Sequence, residues 1–212
     1  LVYKRILVFG DSNSWGYIPG DGGRYLEDDR WPFIMGKILG ERYVVIEDNV
    51  SGRTTVFDDP LREYRNGSGH IIHSLMAHDP LDLIIIALGT NDLKKVFNAN
   101  PEISAKGLAY LLEKIEGWLN GKKRKPRILI ASPVEIAANI RDTPNGKIFS
   151  AKALQYSREL KKHYFKLAIE KGYEFFDCAL YAKASQTDAI HMDEKQHKNL
   201  AAAVSKKVLE IL

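Results

Sequence analysis

Apolar residues recur along this chain in two alternating rhythms. Short runs rich in Val, Ile and Leu are separated by longer stretches whose apolar positions fall three and four apart. Residues 5–9 and 43–47 predict the first two strands. Residues 83–88 form an unbroken apolar run, the pattern of a central strand covered on both faces. Residues 127–132 and 173–176 predict a fourth and a fifth strand. Between them, helical spacing appears over residues 31–39, over 68–78 with Ile71, Ile72, Leu75 and Met76 on one side, and over 101–119. A further helix over 151–171 is stopped by Gly172, and residues 194–212 predict a closing helix. Alternation over the whole length predicts one domain, residues 1–212, built on a parallel, doubly wound five-stranded sheet. Two connections are long, 49–67 and 133–149, and long loops in compact domains often carry function or pack against a neighbour.

Composition narrows the class. The chain has 212 residues, 45% hydrophobic and 27% charged, enough for a sizeable core and ordinary for a soluble globular protein. No stretch approaches the roughly 18 apolar residues of a membrane helix. Residues 1–9 lack the apolar core and small-residue cleavage site of a signal peptide. A cytoplasmic protein without a membrane partner is the expectation. The single cysteine, Cys178, has no internal partner for a disulfide, which fits a reducing compartment. Its apolar neighbours make it a buried, inert thiol rather than a nucleophile.

The formal net charge of +4 is modest and forms no stripe, so no nucleic-acid partner is expected. The densest basic run, residues 122–125, reads as a solvated loop. His70, His73 and His78 lie on or beside one predicted helix, but no carboxylate–histidine motif surrounds them, so no metal site is expected. His197, on the final helix, reads as a surface residue.

The chemistry lies at the strand ends. In an open parallel sheet, sites form beyond the carboxyl ends of the strands. Four segments should converge there: 10–16, 49–55, 89–92 and 188–191. Together they contain what acyl transfer needs. Ser12, in a tight strand-to-helix turn, is the candidate nucleophile, and Gly10 permits the close backbone approach. His191 is the one histidine in these segments and the candidate base. Asp188, three residues earlier, can hold its ring and stabilise the imidazolium. The backbone N–H groups of Ser12 and Gly52 and the side-chain amide of Asn91 are candidate oxyanion donors.

Asp11 and Asp92 read as turn-tying carboxylates, and Arg53 as half of a structural ion pair rather than a ligand for an anionic substrate. Trp15 and Tyr17 are candidates for lining an acyl pocket, with plain packing as the alternative. The Gly-x-Ser-x-Gly elbow of α/β-hydrolases is absent.

These residues resemble the SGNH, or GDSL, hydrolase family, whose four blocks supply Ser, Gly, Asn and His. The matching positions are Ser12 after Phe9-Gly10-Asp11, Gly52 in residues 49–55, Asn91 in 89–92, and His191 with Asp188. Asn13 replaces the usual fourth letter of the GDSL signature. The resemblance implies a flavodoxin-like three-layer α/β/α sandwich and a Ser-His-Asp triad that uses neither metal nor organic cofactor. Trp15-Gly16, Arg30-Trp31, residues 51–55, Asp58-Asp59-Pro60 and residues 80–83 are similar to the arylesterase/acyltransferase branch. That branch implies a serine carboxylesterase for small acyl or aryl esters, with acyl transfer to alcohols in some members. It also implies a homo-oligomer, octameric in some members, and the aromatic residues expected to be exposed near Trp15 and Trp31, with the two long loops, point the same way. Alternatives on the same machinery are a deacetylase of acetylated sugars, a lysophospholipase or a thioesterase. A non-catalytic binding module is the alternative of another class.

Overall fold

The computed structural model describes residues 3–212. Strands β1 (Lys4–Gly10), β2 (Tyr43–Asn49), β3 (Leu83–Ala87), β4 (Arg127–Ser132) and β5 (Glu174–Asp177) form one sheet in the order β2-β1-β3-β4-β5. Every neighbouring pair is parallel. The helices are α1 (Ser12–Trp15), α2 (Trp31–Leu39), α3 (Gly67–His78), α4 (Pro101–Leu119), α5 (Ala153–Lys171) and α6 (Glu194–Ile211).

Alternation along the strands builds the three layers. Leu7, Phe9, Ile84, Ile86, Ile128 and Ile130 pack beneath α3, α4 and α5. Their neighbours in sequence, Ile6, Val8, Leu83, Ile85, Leu129 and Ala131, pack beneath α2 and α6. Both faces of β1, β3 and β4 are therefore apolar, and each buried aliphatic chain contributes about 1.5–3 kcal/mol. This is the flavodoxin-like order, and it has a consequence for the site. The chain leaving β1 runs to α2 on one face, and the chain leaving β3 runs to α4 on the other. A crevice opens between those two strand ends.

The predicted elements are all present, with ends shifted by a residue or two. Three residues sit differently from expectation. Met76 is 67% exposed, because it lies five positions after Ile71 and so falls off the stripe that Ile71 and Leu75 bury. Trp31 is buried against α6 in the core, so it is not an exposed aromatic available to a neighbouring subunit. His197 is fully buried rather than on the surface, since it shares the inward stripe of Leu200, Ala201 and Val204.

The burial of His197 has a measurable effect. Its Nδ1 accepts the Trp31 N–H at 3.3 Å, at the first turn of α2, and its Nε2 has no partner among the described residues. Burial pulls its pKa down to about 4, opposed by Asp193 and helped by His191 and Arg30. The unfolded chain takes up this proton near pH 6.5 and the folded chain only near 4, so stability drains away as pH falls through that window. About 2.5 pH units corresponds to roughly 3 kcal/mol. The variant His197→Gln keeps an acceptor and does not titrate. Its stability deficit relative to wild type, from urea unfolding, is expected to shrink by about that much between pH 7 and pH 4. Parallel pH profiles for the two proteins would refute the assignment.

Candidate active site

The site starts where β1 ends. A Cβ on Gly10 would stand 2.6 Å from Ser14 Cβ and 2.9 Å from Asn49 Oδ1, so only glycine lets α1 fold this closely onto the sheet. Asp11 caps α1, its carboxylate accepting the Asn13 N–H at 3.0 Å. Ser12 is thus the first residue of a four-residue helix that ends in left-handed Gly16. Burial pushes Asp11 up to about pKa 6, against the pull of the Asn13 N–H, His191, Arg53 and Lys94.

The connection from β5 to α6 delivers the imidazole. Ala189 takes a positive φ of 65°, and the chain doubles back so that Ser185 N–H donates to the His191 carbonyl at 2.7 Å. Asp188 Oδ1 accepts the N–H groups of Ile190 (3.0 Å) and His191 (2.9 Å). Its Oδ2 lies 2.6 Å from His191 Nδ1, and His191 Nε2 lies 2.9 Å from Ser12 Oγ. Ser12, His191 and Asp188 therefore form a continuous hydrogen-bonded chain. Burial raises the Asp188 pKa, but the hydrogen bond and charge of His191 and the two backbone N–H groups outweigh it and hold the carboxyl below its usual range. A carboxylate against Nδ1 keeps the ring proton there and leaves Nε2 to accept from the Ser12 hydroxyl.

Two asparagines outside the expected set hold this chain in place. Asn13 Nδ2 donates to the Ile190 carbonyl at 3.1 Å, and its Oδ1 accepts the Met192 N–H at 3.0 Å, so one side chain clamps the backbone on both sides of His191. Asn145, in the long connection after β4, donates to the Asp188 carbonyl at 2.8 Å. That connection has an apolar cluster of its own, in which Ile136, Ile140 and Phe149 meet Leu93 and Ile190. No local pattern announces either role, because both partners lie at least 43 residues away in sequence.

The oxyanion candidates come from the neighbouring strand ends. Gly52 has φ +87°, a conformation that favours glycine. Among the described residues, neither the Ser12 nor the Gly52 N–H donates to another backbone carbonyl. Asn91 Nδ2 is held by the Arg53 carbonyl at 3.1 Å and by Asp11 Oδ2 at 3.4 Å. Arg53 is a buried structural cation: it pairs with Asp48 at 2.8 Å, donates to the Gly10 carbonyl and stacks over Phe9. Asp92 accepts the Thr55 N–H, the Thr55 hydroxyl and the Ser104 hydroxyl, and so ties the loop after β2 to the start of α4.

Ser12, Gly52, Asn91 and His191 open on a cavity of about 450 Å³. Tyr17 lines it and stacks on His191 with ring centroids 4.0 Å apart. Trp15 does not line it; its ring packs 6.5 Å from Tyr17 and beneath the Arg24 guanidinium. A larger hollow, about 760 Å³, lies between β5 and α6 and contains none of these groups. Among the described residues, no set of three or more His, Cys, Asp or Glu side chains is placed to hold a metal ion, and no helix is long and apolar enough to cross a membrane. Cys178 is buried, and burial pushes its thiol pKa well up.

Residues 8–200 match the sequence profile of the GDSL-like Lipase/Acylhydrolase family. The chain is similar to the solved aryl esterase of M. smegmatis, with 34% identity, 99% of this chain and 100% of that one covered, and a TM-score of 0.90. It is also similar to Est24, a carbohydrate acetylesterase from Sinorhizobium meliloti, with 32% identity, 99% and 100% coverage and a TM-score of 0.91. No curated protein matches the chain in sequence.

Proposed function

This chain belongs to the GDSL-like lipase/acylhydrolase family, and from that premise we propose that it is a serine carboxylesterase acting on small acyl or aryl esters. The observation that carries the reading is the chain of contacts from Ser12 Oγ through His191 to Asp188, at 2.9 and 2.6 Å. His191 Nε2 takes the Ser12 proton as Oγ attacks the ester carbonyl. The N–H groups of Ser12 and Gly52 receive the developing oxyanion, and the Asn91 amide joins them by turning one N–H from its long 3.4 Å contact with Asp11. The tetrahedral intermediate collapses, and the alcohol leaves with the proton from His191. Water, deprotonated by the same imidazole, then attacks the acyl-enzyme and regenerates Ser12. An acceptor alcohol in place of water would give acyl transfer by the same steps. Likeness to an aryl esterase and to a carbohydrate acetylesterase supports short acyl groups on either an aromatic or a sugar alcohol.

A fluorophosphonate tests the nucleophile directly. Intact mass is expected to rise by one phosphonyl adduct, and peptide mapping to place it on Ser12. No adduct, or an adduct elsewhere, would overturn the reading.

The Asn13 clamp yields a second prediction. Asn13→Leu removes both backbone contacts beside His191 and leaves a buried carbonyl and N–H unpaired, a loss of about 1–3 kcal/mol each. A ring displaced by about 1 Å costs up to about 100-fold in kcat. Full turnover in a folded variant would show that the clamp is dispensable.

A further inference from the structure

The cavity above Ser12 has an unbalanced charge, and the proposed ester hydrolysis does not account for it. Four cations line it, Arg62, Lys94, Lys95 and Lys147, against one carboxylate, Asp59. Lys94 and Asp59 satisfy each other at 3.1 Å. Among the described residues Arg62, Lys95 and Lys147 make no salt bridge, although Arg62 lies near enough to Asp59 to help hold that carboxyl low. In the densest basic run of the chain Lys122 pairs with Asp79 and Arg124 with Asp82, while Lys123 and Lys125 make no salt bridge among the described residues; what sets Arg62, Lys95 and Lys147 apart is that they line one cavity together with Ser12.

The three unmatched cations come from three separate connections, after β2, after β3 and after β4. Two of these segments are joined, Lys95 N–H donating to the Ile148 carbonyl at 3.0 Å. The third reaches the oxyanion side of the cavity. Arg62 Nη1 stands 3.4 Å from where a Cβ on Gly52 would be. Apolar Val96, Ile148 and Phe149 line the same cavity. A wall of this kind suits a ligand with both an apolar chain and a negative charge.

We infer that the preferred substrates are anionic esters, carrying a carboxylate or phosphate a few atoms from the scissile carbonyl. This rests on the proposed esterase reading and specifies its substrate class. Arg62, Lys95 and Lys147 are exposed, and exposed cations near an anion each favour it by up to a few-fold, so three together give roughly 10- to 100-fold at low salt. The charge also raises the local concentration of anions at the mouth, an effect that salt screens.

The test compares matched pairs of esters. With the charge on the acyl side, the 4-nitrophenyl monoester of glutaric acid is set against its neutral methyl ester. With the charge on the alcohol side, 4-acetoxybenzoate is set against methyl 4-acetoxybenzoate. In at least one pair, kcat/KM is expected to favour the anion by roughly 10- to 100-fold at low salt, and the preference to fall as salt is raised. The pair that shows it identifies the side bearing the charge. The triple variant Arg62→Gln/Lys95→Gln/Lys147→Gln should lose most of that ratio. Lys122→Gln/Lys123→Gln/Lys125→Gln, with the same change in charge, should keep it. A ratio at or below one in both pairs, one insensitive to salt, or one unchanged in the first triple variant overturns the inference. If neutral esters are still cleaved and Ser12 still takes the fluorophosphonate, the esterase reading survives that failure. If Ser12 is not labelled and no ester is cleaved, both readings fall.

Discussion

Replacing Ser12 by alanine is expected to lower kcat on 4-nitrophenyl acetate by about a million-fold, the scale seen when a triad nucleophile is removed. Oγ is the only atom of the triad that would bond to the acyl group, so without it no acyl-enzyme forms. The remaining oxyanion donors can still polarise a carbonyl for attack by water, which sets the small residual rate. The fold should tolerate the change. The capping contact of α1 belongs to Asp11, whose carboxylate holds the Asn13 N–H, and Ser12 only follows it. Urea unfolding should therefore move little while turnover falls to that residual rate and fluorophosphonate labelling vanishes. A variant that stays active and still takes the label would remove Ser12 from the chemistry.

Asp188→Asn is expected to cost about 10⁴-fold in kcat with KM little changed. The side chain keeps its size, and its carbonyl oxygen can still accept the Ile190 and His191 N–H groups that hold the turn. The loss comes from the ring. An amide N–H facing Nδ1 donates instead of accepting, so the imidazole proton moves to Nε2, where it faces Ser12 Oγ and blocks proton uptake. Labelling by a fluorophosphonate should slow in parallel, since it needs the same proton transfer. A loss of less than about tenfold, with the fold intact, would assign orientation of the ring to other contacts.

Three buried carboxylates lie close to this site, and their surroundings separate their roles. Asp11 and Asp92 are fully enclosed, and burial lifts both to about pKa 6 despite several hydrogen-bond donors. Asp188 keeps some exposure and faces the imidazole, and it is held low. A carboxylate that stays ionised beside a histidine can stabilise the imidazolium, whereas Asp11 and Asp92, enclosed among N–H and O–H donors, are placed to tie separate segments together. Asp92 does this between Thr55 and Ser104, and Asp11 between Asn13 and Asn91.

The sequence by itself determined the layered fold. A strand covered on both faces must be apolar at every position, and an inward helical stripe must recur every three to four residues, so the patterns of β3 and α4 could be read directly. The sequence also singled out the four strand-end segments, because in a parallel sheet those ends share one edge. It misread His197 and Met76, since one residue of angular offset on a helix decides burial and helical periodicity resolves no finer. Tertiary structure alone decided how the site is held. The clamp of Asn13 on Ile190 and Met192, the brace of Asn145 on Asp188 and the three unmatched cations over Ser12 all join segments far apart in the chain. Contacts of that kind leave no local period or motif; they exist only once the sheet has brought its loops to one edge.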